Sequence, residues 1–343
     1  MKISIGTNIK EGPWGGGNLF AINLKQHLES SGHTVVNNLK DQDIDLILIT
    51  EPRKTSESSA FTHSDVLKYL SFVKDDTLVV HRINECDERK GTNYVNKYLI
   101  NANKVSDSTV FVSTWIKNLY FEQGLNHENR NVILSGANSE IFNRKNFEMW
   151  NGNNKIKIIT HHWGANWNKG FDTYQKLDYM LNQKKWKEIF EFTYLGNLPK
   201  NFKFINATHL SPLSGLPLAS EIKQHDIYIT GSINEPSGNH HIEAAQCGLP
   251  LMYVNSGGIP EYCEGFGSQF NLENIEETLL FMIENYQSQF DNMKNYSRNS
   301  ISMSLEYEDL FLGLFRNKKE ILASRDIKLL SNRLAKLKFN LFN

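Results

Sequence analysis

The chain has 343 residues, 40% of them hydrophobic and 22% charged, which is too long for one ordinary domain and apolar enough for two cores. A formal net charge of −1 leaves no global pull toward nucleic acid, so any polyanion site must be local. Three cysteines, Cys86, Cys247 and Cys263, neither form an even set nor show metal-ligand spacing, which suits a reducing compartment with cytoplasm as the default. The opening Met-Lys-Ile-Ser-Ile-Gly lacks a signal pattern, and no apolar run nears the roughly 20 residues that cross a bilayer.

Short apolar runs alternate with helix-period segments, which predicts an α/β chain of strand-helix-strand units with mostly parallel sheets. In the first half the strands are expected at 2–6, 34–37, 45–49, 77–81 and 108–112. A helix over 18–30 carries Phe20, Leu24 and Leu28 on one face and stops at Gly32. The polar stretch 143–154 marks the domain junction. Beyond it, strands are expected at 155–161, 191–196, 226–230 and 251–255, with helices at 171–182, 218–225, 240–246 and 274–286.

Four constellations carry chemistry. Gly12-Pro13-Trp14-Gly15-Gly16-Gly17 follows the first strand and opens the first helix, where a backbone without Cβ atoms can approach a ligand. Its spacing is neither the dinucleotide fingerprint nor a phosphate-binding loop, and a tight turn without a ligand is the plain alternative. His81-Arg82 continues from a strand end. His81 is expected to face a cleft and Arg82 to meet a phosphate or an acidic acceptor, although a structural histidine fits as well.

His161-His162-Trp163 through Lys169-Gly170 lies at the carboxyl end of a parallel strand, where ligands of such sheets bind. Lys169 would bring a positive charge to a diphosphate, and Trp163 and Trp167 could flank a base or sugar. A solvated lysine and core tryptophans are the plain alternative. No carboxylate or cysteine accompanies the paired histidines at ligand spacing, so no metal is expected.

The most informative stretch is Glu235 to Glu261. Glu235 lies in the loop after a strand, Asn239 is placed to cap the following helix, and Glu243 falls about one turn into it. Each carboxylate can accept two hydrogen bonds from a vicinal diol, and the helix start offers free amides. The Gly248-x-Pro250 stop and the Gly257-Gly258 turn frame a short buried strand. Two solvated surface acids are the plain alternative.

Together these residues resemble the retaining glycosyltransferases of the GT-B fold, most closely family four with its Glu-x7-Glu motif. Glu235 through Glu261 carries the specific match. Gly32-His33-x-Val35, Val132 through Ala137 with Phe142, and Lys169-Gly170-Phe171-Asp172 extend it over nearly the whole chain. The resemblance implies two Rossmann-like domains facing each other across a cleft. They comprise an acceptor domain over 1–145, a donor domain over 146–310, and C-terminal helices over 311–343 that cross back to the first.

It also implies transfer of a sugar from a nucleotide diphosphate sugar to a hydroxyl acceptor, glycan or lipid-linked, in polysaccharide or glycoconjugate synthesis. Configuration would be retained, with no cofactor and no metal. Glu243 would bind the ribose hydroxyls and Lys169 the diphosphate. Glu235 and the amides after it would hold the transferred sugar with His81 beside it, and Trp163, Asn239 and His240 would line the donor site. Gly16 or Gly17 would close over the phosphate.

One departure stands out: relatives carry an Arg five residues before this Lys, where this chain has Gly164. It motivates the alternative of a non-catalytic sugar-nucleotide or glycan-binding subunit. A dinucleotide oxidoreductase is excluded by the missing glycine fingerprint. Finally, Ile327, Leu330, Leu334, Leu337 and Leu341 among five basic residues predict a basic amphipathic helix over 325–341, packed on the first domain or touching an anionic membrane.

Overall fold

The computed structural model describes residues 1–10, 15–125 and 130–331. The chain divides into two compact units, one made of 1–134 with 301–343 and the other of 135–300.

The first unit holds β1 (Lys2–Ile5), α1 (Gly16–Ser30), β2 (Thr34–Val36), β3 (Leu46–Ile49), α2 (His63–Phe72), β4 (Leu78–Ile83) and α3 (Asp87–Lys90). They are followed by α4 (Val95–Asn103), β5 (Ser108–Phe111), α5 (Thr114–Glu122) and β6 (Arg130–Val132). The six strands are parallel in the order β2-β1-β3-β4-β5-β6, so the direction of winding reverses between β1 and β3. Strand residues such as Leu46–Ile49 are buried throughout, as a sheet covered on both faces requires. Phe20, Leu24 and Leu28 of α1 cover one face, as their spacing predicts.

The second unit holds β7 (Ile156–His162), α6 (Phe171–Met180), α7 (Lys184–Ile189), β8 (Phe190–Gly196), β9 (Thr208–Leu210), α8 (Gly215–Ile222), β10 (Ile227–Thr230) and α9 (Asn239–Cys247). They are followed by β11 (Leu251–Val254), α10 (Ile259–Cys263), β12 (Gly267–Phe270), α11 (Ile275–Glu284) and α12 (Tyr286–Asn292). Its order, β12-β11-β10-β7-β8-β9, is also all parallel and reverses between β7 and β10. An aromatic core of Phe171, Tyr174, Phe190, Phe192 and Tyr194 packs beneath α6.

The units divide at 134/135 rather than at 145/146. Residues 135–154 belong with the second unit because Arg144 donates to the Phe290 carbonyl at 3.4 Å, and Phe147 and Trp150 pack against Phe290 and Tyr286. The last long helices, α13 (Ser300–Arg316) and α14 (Lys318–Ser324), follow. From Ile301 onward the chain belongs to the first unit, where Met303, Tyr307, Phe311 and Leu314 share the core with α1.

The expected amphipathic helix over 325–341 is not formed over 325–331, which is non-helical, and the remainder lies outside the described residues. Arg325, expected among the basic residues of that helix, instead turns its side chain inward. Its guanidinium donates through Nε and Nη2 to the two oxygens of Asp107 at 2.8 and 2.7 Å, and Nη2 also donates to the Thr77 carbonyl. Ile327 packs against the core of Ile47, Tyr69 and Val79. Among the described residues, no helix is long and apolar enough to cross a membrane.

Candidate active site

The carboxyl ends of β7 and β10, where the second sheet reverses, gather most of the expected site. In open parallel sheets this is where a crevice forms and ligands bind. β7 delivers His161 and His162, and the loop after it folds into one 3-10 turn, Trp167–Lys169, before α6. Gly170 joins the two with φ +102, and a Cβ there would lie 2.5 Å from the Gly231 backbone. Only glycine permits that approach. The loop after β10 is tied on by Ile233 N donating to Asn168 O at 2.8 Å and Ser232 Oγ to Lys169 O at 3.2 Å.

These ties bring Lys169 Nζ to 2.8 Å from Glu235 Oε2, with both side chains largely buried. The Gly-Gly turn after β11 completes the seat. Gly257 adopts φ +65 with the Glu235 backbone pressed against it, and Gly258 N donates to Glu235 O at 2.8 Å. Gly238 caps α9 with φ +80, and a Cβ there would crowd Glu235, His240 and His241. The cap has no side-chain bond, so Asn239 is the first helical residue rather than the cap expected of it. No cap side chain therefore bonds the first amides of α9, which a helix start leaves without partners inside the helix.

Glu243, in the second turn of α9, accepts a hydrogen bond at Oε2 from His161 Nε2 at 2.8 Å. A buried carboxylate needs such a donor. His240 hydrogen-bonds Thr230 Oγ1 at 2.9 Å, and its ring lies 4.5 Å from that of His162 and 4.8 Å from that of His241. Burial first, then the neighbouring histidines and Lys169, hold His240 well below the usual histidine range. Burial lowers His241 to about 3. His240 and His241 are thus neutral imidazoles near pH 7. Tyr174 Oη accepts from Thr160 and from the Gly231 amide, and donates to His162 Nε2 at 2.6 Å. Among the described residues no group of three His, Cys, Asp or Glu is arranged to hold a metal ion.

Trp163 and Trp167 are 53% and 43% exposed, so neither is a core residue. Trp167 donates to Asp172 and rests on Phe171 and Phe202, while the Trp163 carbonyl accepts from Asn197. A cleft of about 570 Å³, not foreseen from the sequence, opens beside the site at the ends of β10, β11 and β12. Thr173, Gly231, Ile233, Asn255, Ser256 and Glu273 line it, but Glu235, Lys169 and Glu243 do not. Its lining comes from the start of α6 and from the ends of β10, β11 and β12 with the loops after them, without a shared motif, which left no signal in the sequence.

In the first unit, β4 runs to Ile83, so His81 lies inside the strand rather than at its end. Its ring is fully buried, lowered to about 4 by that burial, and bonded through Nδ1 to Asn103 Oδ1 at 2.9 Å. Arg82, the next residue of the strand, faces the opposite way. It is buried with its guanidinium 4.0 Å over the Phe20 ring. Strand alternation therefore separates two residues that sequence adjacency had joined. Gly16 and Gly17 form the first turn of α1, where a Cβ at Gly17 would meet nothing. Gly12, Pro13 and Trp14 lie outside the described residues.

No family model matches the chain, and no curated protein matches it in sequence. Among solved structures the chain is similar to a glycosyltransferase from Rickettsia africae, at 14% identity and a TM-score of 0.65 over 94% of this chain and 98% of that one. It is similar to Anabaena HepE in complex with UDP and glucose, at 14% identity and a TM-score of 0.66 over 92% and 100%. It is also similar to WaaG, a glycosyltransferase involved in lipopolysaccharide biosynthesis, at 12% and 0.61 over 91% and 100%. These likenesses show the fold, which is GT-B with two Rossmann-like domains.

Proposed function

We propose that the chain is a glycosyltransferase that moves a sugar from a nucleoside diphosphate sugar to a hydroxyl acceptor, with retention of configuration. The observation that carries this reading is the arrangement at the β7/β10 reversal. Two buried carboxylates, Glu235 and Glu243, stand on either side of an uncapped helix start, with a lysine ammonium 2.8 Å from the first. Anabaena HepE in complex with UDP-glucose, which shares the fold, supports a uridine diphosphate sugar as the first donor to test.

In this reading Glu243 takes the ribose hydroxyls, and Lys169 with the α9 amides takes the diphosphate. Glu235 and the amides after it take hydroxyls of the transferred sugar. As the bond from the anomeric carbon to the phosphate oxygen breaks, its electron pair passes to the diphosphate. The Lys169 charge and the helix start stabilise that gathering charge, which supplies the electrostatic work without a metal. The acceptor oxygen bonds to the anomeric carbon on the same face, and its proton passes to the departing phosphate oxygen.

His81 is fully buried against Asn103, and we assign it to the core of the first unit rather than to the reacting centre. The acceptor is a glycan, a lipid-linked sugar or another hydroxyl compound. Purified protein is to be mixed with UDP-glucose and release of UDP measured. Turnover that falls by orders of magnitude in Lys169→Ala and Glu235→Ala, with melting unchanged, supports the reading, whereas near-normal turnover in both overturns it.

A further inference from the structure

We infer that His161 is the positioning residue of the ribose site: it fixes the Glu243 carboxylate in one orientation so that the second oxygen stays open to a sugar hydroxyl. The inference rests on the reading of Glu243 as the ribose contact. An ionised carboxylate only accepts, so the 2.8 Å bond runs from His161 Nε2–H to Glu243 Oε2. In the neutral ring Nδ1 is then a lone-pair acceptor, and it is buried without a hydrogen-bond partner. Glu243 is therefore the sole polar attachment of the His161 side chain among the described residues, and nothing pulls the ring elsewhere.

Packing fixes the rest. The His161 ring stands edge-on to Tyr228 at 5.5 Å and to His240 at 6.4 Å, and its backbone amide donates to Tyr228 Oη at 3.1 Å. Both partners of the pair are only 8% exposed, so water competes little for Oε2. Oε1 makes no hydrogen bond to the protein among the described residues, which leaves it for a ligand. Leaving a ring acceptor unpaired in the interior is unfavourable. The strand that carries it is otherwise apolar at its buried positions, Ile156, Ile158 and Ile159, apart from the hydroxyl of Thr160 and the neighbouring His162. A histidine whose one side-chain bond goes to Glu243 fits a demand of the carboxylate rather than of the core. Without that donor the carboxylate would be free to turn.

The test compares binding of UDP with 2′-deoxy-UDP by calorimetry, and likewise GDP and ADP with their 2′-deoxy forms, in the full chain. In the wild type the ribonucleotide binds more tightly. His161→Phe keeps the aromatic packing but has no donor, and is expected to reduce that preference by about tenfold, the scale of one charge-assisted hydrogen bond. His161→Gln, which retains an N–H donor, is expected to restore most of it. If His161→Phe does not fold, His161→Met carries the same comparison. A donor-less variant that binds with the wild-type preference overturns the inference, even if it melts lower, because that is the behaviour of a purely structural histidine. Glu243→Gln separates the two levels: if its preference equals that of the wild type, the ribose reading itself fails.

Discussion

Lys169 Nζ lies 2.8 Å from Glu235 Oε2, so the lysine assigned to the diphosphate is paired with the carboxylate assigned to the sugar. A bound diphosphate must compete with Glu235 for that ammonium. Glu235→Gln removes the competitor and a negative charge beside the phosphates. It is therefore expected to tighten UDP binding by about 3- to 10-fold while lowering transfer by at least ~100-fold. Calorimetry and a UDP-release assay on the same preparation check the two halves. Weaker UDP binding in Glu235→Gln would contradict the competition.

Gly257 presses against the Glu235 carbonyl, where a Cβ would lie 2.4 Å away, and its φ is +65. Gly257→Ala is expected to cost about 2 kcal/mol or more and to displace Glu235. Gly91→Ala is the control, since it shares a positive φ of +65, in the left-handed region with ψ 37, but has nothing within 4 Å among the described residues. It should cost only about 1 kcal/mol. Urea unfolding of the two variants gives the comparison.

The fold reports on pH through its buried histidines. Burial lowers His81 and His225 to about 4 and His241 to about 3, all below the ordinary 6.5. The unfolded chain therefore takes up protons first as pH falls. The stability these rings contribute is complete above pH 6.5 and is lost as pH falls toward 4 and below. The slope is at most about 1.4 kcal/mol per pH unit for each ring. Melting temperature should drop steadily from pH 6.5 to 4.5, and His81→Asn should flatten that drop by its own share. A melting temperature level across the window would contradict it.

Arg325 and Asp107 form a buried two-pronged pair that ties the chain after α14 to the first sheet. Asp107 also accepts from the Val79 amide at 2.8 Å. Arg325→Ala leaves that carboxylate buried without its cation and is expected to cost about 3 to 5 kcal/mol. Denaturant titration checks this, and a loss below about 1 kcal/mol would count against a structural role.

The alternation of apolar runs made both parallel sheets legible, and the stretch from Glu235 to Glu261 with Lys169 marked the end of the sheet that carries the candidate site. Long-range partners left no local trace. Nothing near His161 in the chain points to Glu243, and nothing in the spacing of 325–341 reveals that Arg325 turns inward to Asp107. β6, β9 and β12 escaped notice because segments such as Arg130–Val132 and Gly267–Phe270 are short and partly polar. His81 was misplaced because the apolar run read as ending there continues through Arg82, whose charge hides the last strand residues.

A nucleoside diphosphate sugar held at the β7/β10 reversal is tested by thermal shift of the wild type, Lys169→Ala and Glu243→Gln against UDP, GDP, ADP and dTDP sugars. One nucleotide class is expected to raise the wild-type melting temperature by mass action, with that shift lost in both variants. No shift with any of them, or an equal shift in all three proteins, would contradict the account.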